Sequence, residues 1–194
     1  MTTIKQILKS PNIDQELTIS GWVRTRRGSK NVSFIALNDG STIKNLQIVA
    51  ESTVFNEEII KKINTGTCIR AKGLLKSSEG KEQSLEVLAK EITILGESDA
   101  TEYPLQPKKH SLEFLREKAH LRFRTNTFSA VFRVRHALTF AIHDFFNKNG
   151  YVNIHTPIIT GADAEGAGEM FKVSNFDFDE IPINNGKVDF SEDF

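Results

Sequence analysis

The sequence predicts a small β-barrel followed by an α+β segment. Two observations carry that prediction. Between Leu17 and Leu95, short runs of alternating apolar and polar residues are broken by turn dipeptides, with one helical stretch among them. From Thr125 to Asn149 the period changes to three and four, and Phe128, Val131, Phe132, Leu138, Ile142, Phe145 and Phe146 form one apolar stripe.

The barrel elements follow in order. Leu17, Ile19 and Val23 alternate through Gly21-Trp22 as a first strand, and Val32 to Leu37 is a second. Asn38-Asp39-Gly40-Ser41 turns the chain back into a third strand, Ile43 to Val49. Thr53 to Ile63 is helical, with Phe55, Ile59, Ile60 and Ile63 on one face, and Thr65-Gly66 stops it. Thr67 to Leu75 and Gln83 to Leu95 are strands four and five, joined by the polar turn at Ser77 to Gly80. Three strands, a helix and two strands is the order of the five-stranded OB-fold barrel, which binds oligonucleotides around strands two and three; another small β-barrel is the competing architecture. Pro104 and Pro107 lie in a polar stretch from Gly96 to Lys109 that suits a linker. Gly150 sits where the long helix needs a left-handed residue, and Tyr151 to Ile154 alternates as a short strand ahead of Pro157. Beyond Phe171 the chain is acidic and loop-like.

Composition narrows the function classes. The one cysteine, Cys68, allows neither an intramolecular disulfide nor a cysteine-based metal site, and a reduced, cytoplasmic setting fits. No apolar run reaches the roughly 18 residues of a membrane span, and the N-terminus lacks the apolar core of a signal peptide. Lys and Arg number 25, and so do Asp and Glu, so a simple polycationic nucleic-acid binder is disfavoured. The charges are unevenly spread. Residues 1–95 hold 14 basic and 10 acidic side chains, whereas residues 151–194 hold 2 and 9. That asymmetry suits a chain that meets a polyanion at its first end only.

Three constellations could carry chemistry. Arg24, Arg26, Arg27 and Lys30 stand close to Phe34, with Gln47 on the next strand. On an oligonucleotide-binding face the basic groups would neutralise phosphates. An exposed Phe would stack a base, and an amide would read a base edge. Equally, Phe34 could be barrel core and the arginines a solvated strand end. Arg122, Arg124, Arg133, Arg135 and the histidines of the helical part form a second, basic group, with no spacing that suggests a metal site. The third is Glu165 with Glu169, flanked by Ala and Gly, where backbone can approach a ligand and a carboxylate can pair an ammonium. Two solvated loop acids would look the same.

Three segments resemble one family. The run GWVRTRRGSKNVSFIALNDGS with IKNLQIV is similar to the anticodon-binding domain of the aspartyl, asparaginyl and lysyl class II aminoacyl-tRNA synthetases. The hinge YPLQPKKHSLEFLREKAHLRFRTNTF and the loop AEGAGEMF resemble the asparaginyl members, although Phe123 stands where proline is common. The helix, strand and Pro157 resemble the dimer-forming element of class II enzymes.

The resemblance implies an OB-fold anticodon-binding domain over 1–96 and a hinge over 97–110. Over 111–194 it implies the incomplete start of an antiparallel-sheet catalytic domain. It implies that Arg27, Phe34 and Gln47 contact the anticodon, Phe34 stacking on the central uracil and Gln47 hydrogen-bonding to it. Arg24, Arg26 and Lys30 are candidate phosphate contacts, Glu165 would hold the amino group of the substrate, and Pro157 would lie at a homodimer interface. The implied partners are tRNA(Asn) and asparagine, with ATP and Mg²⁺ used by the whole enzyme, no metal held by this portion, and no membrane. The ATP-handling motifs have no counterpart here, so the chain alone is expected to be inactive. An aspartyl or non-discriminating synthetase, or a free-standing OB-fold RNA-binding module, is the alternative.

Overall fold

The structure, a computed structural model, describes residues 2–78, 80, 83–161, 171, 173–177 and 179–191. The chain falls into two compact units, Met1–Ala141 and Ile142–Phe194.

Five strands close into a barrel in the first unit: β1 (Glu16–Gly28), β2 (Val32–Asn38), β3 (Leu46–Glu51), β4 (Cys68–Ser77) and β5 (Leu85–Gly96), in the spatial order β1-β2-β3-β5-β4. β1 pairs with both β2 and β4, so no edge is left for another chain to extend. The β3–β5 pair is parallel and the remaining four are antiparallel. This is the OB-fold order expected from the alternation. Ile19, Val23, Ile35, Leu37, Ile48 and Val87 point inward and are fully or almost fully buried. A barrel this small needs sharp corners. β4 turns one at a register irregularity between Lys72 and Gly73, where a side-chain Cβ would lie 2.1 Å from the Leu88 carbonyl oxygen.

The helix between strands three and four is α2, and it is shorter than the apolar pattern predicts. It runs Glu57–Lys62 because the Asn56 side chain accepts from Glu58 N and caps it there. Phe55 and Ile63 reach the core from outside the helix and Ile60 from within it, whereas Ile59, expected on the same face, is exposed. Strand three likewise begins at Leu46. Asn38 Nδ2 donates to the Thr42 and Lys44 carbonyls at 3.0 Å each and holds the expected start of the strand as a turn. A helix not expected from the sequence precedes the barrel, α1 (Ile4–Lys9). Thr3 and Gln6 form its capping box, and Ile4 and Ile7 join the barrel core. Asp39 Oδ2 accepts from Ile4 N at 2.8 Å and Ser41 Oγ from Lys5 N at 3.0 Å, which anchors α1 to the turn between β2 and β3.

After the barrel come α3 (Leu112–Glu117), capped by Ser111, a 3₁₀ turn at Arg122–Arg124, and the long helix α4 (Asn126–Lys148), which the three-four spacing predicted closely. Gly150 ends α4 at φ 82°. Its N–H bonds to the Asn147 carbonyl and that of Tyr151 to the Phe146 carbonyl, both at 3.1 Å, while the Tyr151 ring meets Phe146 edge-on. The stripe of α4 is uncovered, with Val131, Leu138, Ile142 and Phe145 between 50% and 61% exposed.

The strand expected at Tyr151 to Ile154 does not form. A strand exists only through a ladder partner, and among the described residues none lies alongside it; Val152 and Ile154 are exposed. The acidic stretch expected to be loop contains a small hairpin instead, β6 (Ile183–Asn184) and β7 (Lys187–Val188). Asn185 and Gly186 supply the two positive φ values, 51° and 76°, that its tight turn requires.

Glu16 links three strands. Its carboxylate meets Lys90 Nζ at 2.9 Å and Lys72 Nζ at 3.3 Å, and these two ammonium groups hold its pKa below the ordinary value of 4.5. A depressed carboxylate stabilises the fold fully above its unfolded pKa and loses that contribution as pH falls through its folded one. Urea midpoints measured from neutral pH down to about pH 3 should therefore fall less steeply in Glu16→Gln than in the native chain below about pH 4.5. Parallel slopes would show that the ion pairs contribute nothing.

Candidate nucleic-acid interface

The outer face of the barrel is set by one irregularity in β1. Its register with β2 shifts between Val23 and Thr25, leaving Arg24 as the extra residue. At this point β1 also exchanges backbone bonds with the segment before β4. Gly66 N donates to the Val23 carbonyl at 2.8 Å, Val23 N donates to that of Thr67 at 2.9 Å, and the Thr65 hydroxyl donates to the Arg24 carbonyl at 3.4 Å. Beyond the bulge, Thr25 stands opposite Ala36, Arg26 opposite Ile35 and Arg27 opposite Phe34. A regular ladder would have put Arg26 opposite Phe34 and turned Arg27 to the inner side.

Phe34 is on the outer face. Its neighbours Ser33 and Ile35 are the buried ones, and the core reading of Phe34 does not hold. Cross-strand register makes two rows on this face. One runs Arg27, Phe34, Val49 and Leu88; the other runs Thr25, Ala36, Gln47 and Glu86. A groove of about 540 Å³ lies over them, lined by Arg27, Phe34, Ala36, Lys44, Asn45 and Gln47. The small Ala36 keeps its floor low between the aromatic ring and the amide. Arg27 and Lys44 supply positive charge, and both are exposed.

Gln47 is the buried polar group of this face, 7% exposed. Its Nε2 donates to Glu86 Oε2 at 2.9 Å, and the Ser78 hydroxyl donates to the same oxygen at 2.9 Å. Glu86 is the functional candidate that the sequence did not reveal. The alternation of β5 puts it on the outer face, but only the parallel register of β3 with β5 places it beside Gln47. Nothing in the local sequence announces that register.

The other expected contacts lie apart. Arg26 Nε donates to the Ile63 carbonyl at 2.9 Å and so ties β1 to the end of α2. Arg24 faces the start of α4, where its Nη2 donates to Asn126 Oδ1 at 3.3 Å. Burial pushes its guanidinium pKa down; the Tyr103 phenol opposes that shift and the positive Arg124 adds to it. Arg124 itself lies over the Trp22 ring, 4.7 Å from its centre. Lys30 is exposed in the turn between β1 and β2, and Pro157 is exposed in the irregular segment after α4. Glu165 and Glu169 lie outside the described residues. Among the described residues no three His, Cys, Asp or Glu side chains cluster in a way that could hold a metal ion, and no helix is long and apolar enough to cross a membrane.

Comparison with known proteins bears directly on this face. The OB-fold nucleic acid binding domain family of tRNA anticodon type matches residues 17–95, and the class II tRNA synthetases of the D, K and N type match residues 111–181. The chain is 54% identical over 194 residues to an asparagine-tRNA ligase of Cytophaga hutchinsonii, covering 98% of this chain and 42% of that protein. It is 53% identical to that of Parabacteroides distasonis, covering 100% and 42%. The chain is thus similar to class II aminoacyl-tRNA synthetases in both of its parts. It spans less than half the length of these relatives. Among solved structures, asparaginyl-tRNA synthetase from Pyrococcus horikoshii complexed with asparaginyl-adenylate shares the fold with a TM-score of 0.76 at 23% identity, over 90% of this chain and 40% of that one. The groove therefore lies on the segment that matches the OB-fold nucleic acid binding domain family.

The two faces of β2 differ in a way that stability measurements resolve. Ile35→Ala should cost about 2–5 kcal/mol by opening a cavity in the barrel, whereas Phe34→Ala should cost about 1 kcal/mol or less. Equal losses in urea titrations would return Phe34 to the core.

Proposed function

We propose that this chain is the anticodon-reading and dimer-forming part of an enzyme that activates asparagine with ATP and joins it to tRNA(Asn). The observation that carries the anticodon assignment is the outer-face row in which Arg27 stands opposite Phe34, with Gln47 one row away across a groove. Phe34 offers a flat apolar surface on which a base stacks. Arg27 and Lys44 neutralise the adjoining phosphates, and Gln47 hydrogen-bonds the base edge. The asparagine specificity rests on the named relatives at 53–54% identity.

The proposed organisation is a reading domain over 1–96, a hinge over 97–110 and the start of the catalytic domain over 111–194. Glu165 is proposed to pair with the ammonium group of the amino acid. Lys30, exposed in the turn between β1 and β2, is proposed as a further phosphate contact. Arg24 and Arg26 are already engaged by Asn126 and by the Ile63 carbonyl, so their part is to hold the bulge that presents Arg27. The uncovered apolar stripe of α4 and the exposed segment to Pro157 would be buried in a homodimer. ATP and Mg²⁺ are requirements proposed for the whole enzyme, in a cytoplasmic setting. The described residues bring together no carboxylate cluster for the cation, and no catalytic step is assigned to them.

Binding separates this reading from that of a barrel with an inert face. In filter binding of a tRNA(Asn) transcript at fixed ionic strength, Phe34→Ala and Gln47→Ala should each weaken affinity, Phe34→Ala by about 1–3 kcal/mol. Affinity of the native chain should fall as salt rises. Affinities equal to that of the native chain would remove the groove as the anticodon site.

A further inference from the structure

A second cavity lies beside the groove, and the proposed function makes no use of it. It holds about 570 Å³ and is formed wholly within the first compact unit, by β1, the turn after β2 and the start of α4. That volume is in the range of small-molecule sites. Three guanidinium groups line it, those of Arg24, Arg124 and Arg133, and no carboxylate does. Among the described residues none of the three forms an ion pair.

The partners of these arginines are neutral. Arg24 Nη2 donates to Asn126 Oδ1 at 3.3 Å, and Arg133 Nη2 donates to the Gly40 carbonyl at 2.5 Å. Arg124 lies over the Trp22 ring, 4.7 Å from its centre. These contacts orient the groups but cancel none of their charge. Burial lowers the Arg24 pKa most, and the positive charge of Arg124 lowers it further. Positive groups gathered out of water without a counter-charge are unfavourable, and an anion bound among them would offset that cost. The planar fork of an arginine matches phosphate oxygens in particular.

Phe123 adds an aromatic surface. It is a residue at which the hinge departs from the family it resembles, and it lines the same cavity while remaining 53% exposed. Phe132 and Ile43 extend the apolar wall. A ligand that suits this lining is planar and apolar at one end and strongly anionic at the other.

We propose that this cavity binds a nucleotide, its phosphate between Arg124 and Arg133 and its base against Phe123. The site is separate from the row of Arg27, Phe34 and Gln47 and does not depend on the anticodon reading. The nucleotide could be free in solution or belong to an RNA that continues past Asn126 and Ile43, which line both the cavity and the groove.

Isothermal titration of the full chain at fixed ionic strength tests this with three probes: adenosine monophosphate, adenosine and inorganic phosphate. The native chain should bind the monophosphate at least about tenfold more tightly than either of the others. Phe123→Ala should weaken the monophosphate about tenfold and leave inorganic phosphate unchanged. Arg133→Gln should weaken it by at least about tenfold and leave adenosine unchanged. Ser129→Phe fills the cavity without altering its charge and should abolish binding. The exposure of Phe123 makes loss of the fold an inadequate explanation for its variant. An anticodon stem-loop RNA then separates the sources. Displacement of the monophosphate assigns the site to a nucleotide of the RNA, and joint binding assigns it to a free nucleotide; both support the site. No monophosphate binding up to about 1 mM, or affinity unchanged in both Phe123→Ala and Ser129→Phe, overturns it. Failure of the chain to bind the RNA would remove the anticodon reading and leave the monophosphate result standing.

Discussion

The arrangement of the groove depends on one backbone constraint, the extra residue in β1 at Arg24. Because side chains alternate along a strand, a shift of one residue exchanges the two faces. Before the bulge, Ile19 and Val23 face the core; after it, Thr25 and Arg27 face outward and line up with Ala36 and Phe34. The bulge is held from several directions. Thr65, Gly66 and Thr67 engage the backbone around it, Asn126 takes the Arg24 guanidinium, and the Ile63 carbonyl takes that of Arg26. Two of the four positive groups that crowd this stretch of sequence are thereby used to hold the strand. Arg27 remains free to face the groove.

Barrel closure is what turns this local feature into a site. β3 is paired on one side with β2 and on the other, in parallel, with β5. Residues from four segments of the chain, Arg27, Phe34, Gln47 and Glu86, thus come to lie on one lattice. None of the intervening loops has to be rigid for that geometry to hold, because the ladders set it. The same logic explains the sharp contrast beyond α4. Tyr151 to Ile154 carries the alternation of a strand but finds no ladder to join among the described residues, and it is irregular.

Much of the barrel was legible because its signals are local. Alternation gave the five strands, Asn38 to Ser41 gave a turn, and Gly150 gave the end of α4. The capping box of α1 and the Asn185-Gly186 turn were equally local and were missed, since Thr3 and Gln6 stand among few apolar residues and the hairpin strands are only two residues long. The orientation of β2 was not legible. In Val32 to Leu37 nearly every residue is apolar, and the residue that breaks the run, Ser33, points inward while Phe34 points out. Hydrophobicity alone reads that pair the wrong way round. Nor could the partnership of Gln47 with Glu86 be read, because it depends on a parallel register between strands 39 positions apart.

The central claim is that the bulge makes Arg27, and not Arg26, the partner of Phe34 in binding RNA. A double-mutant cycle on tRNA(Asn) affinity, pairing Phe34→Ala with Arg27→Ala and separately with Arg26→Ala, tests it most directly. The account predicts a coupling energy of about 0.5–3 kcal/mol between Phe34 and Arg27, and additivity within about 0.5 kcal/mol for Phe34 with Arg26. Coupling of Phe34 to Arg26 together with additivity at Arg27 would contradict it.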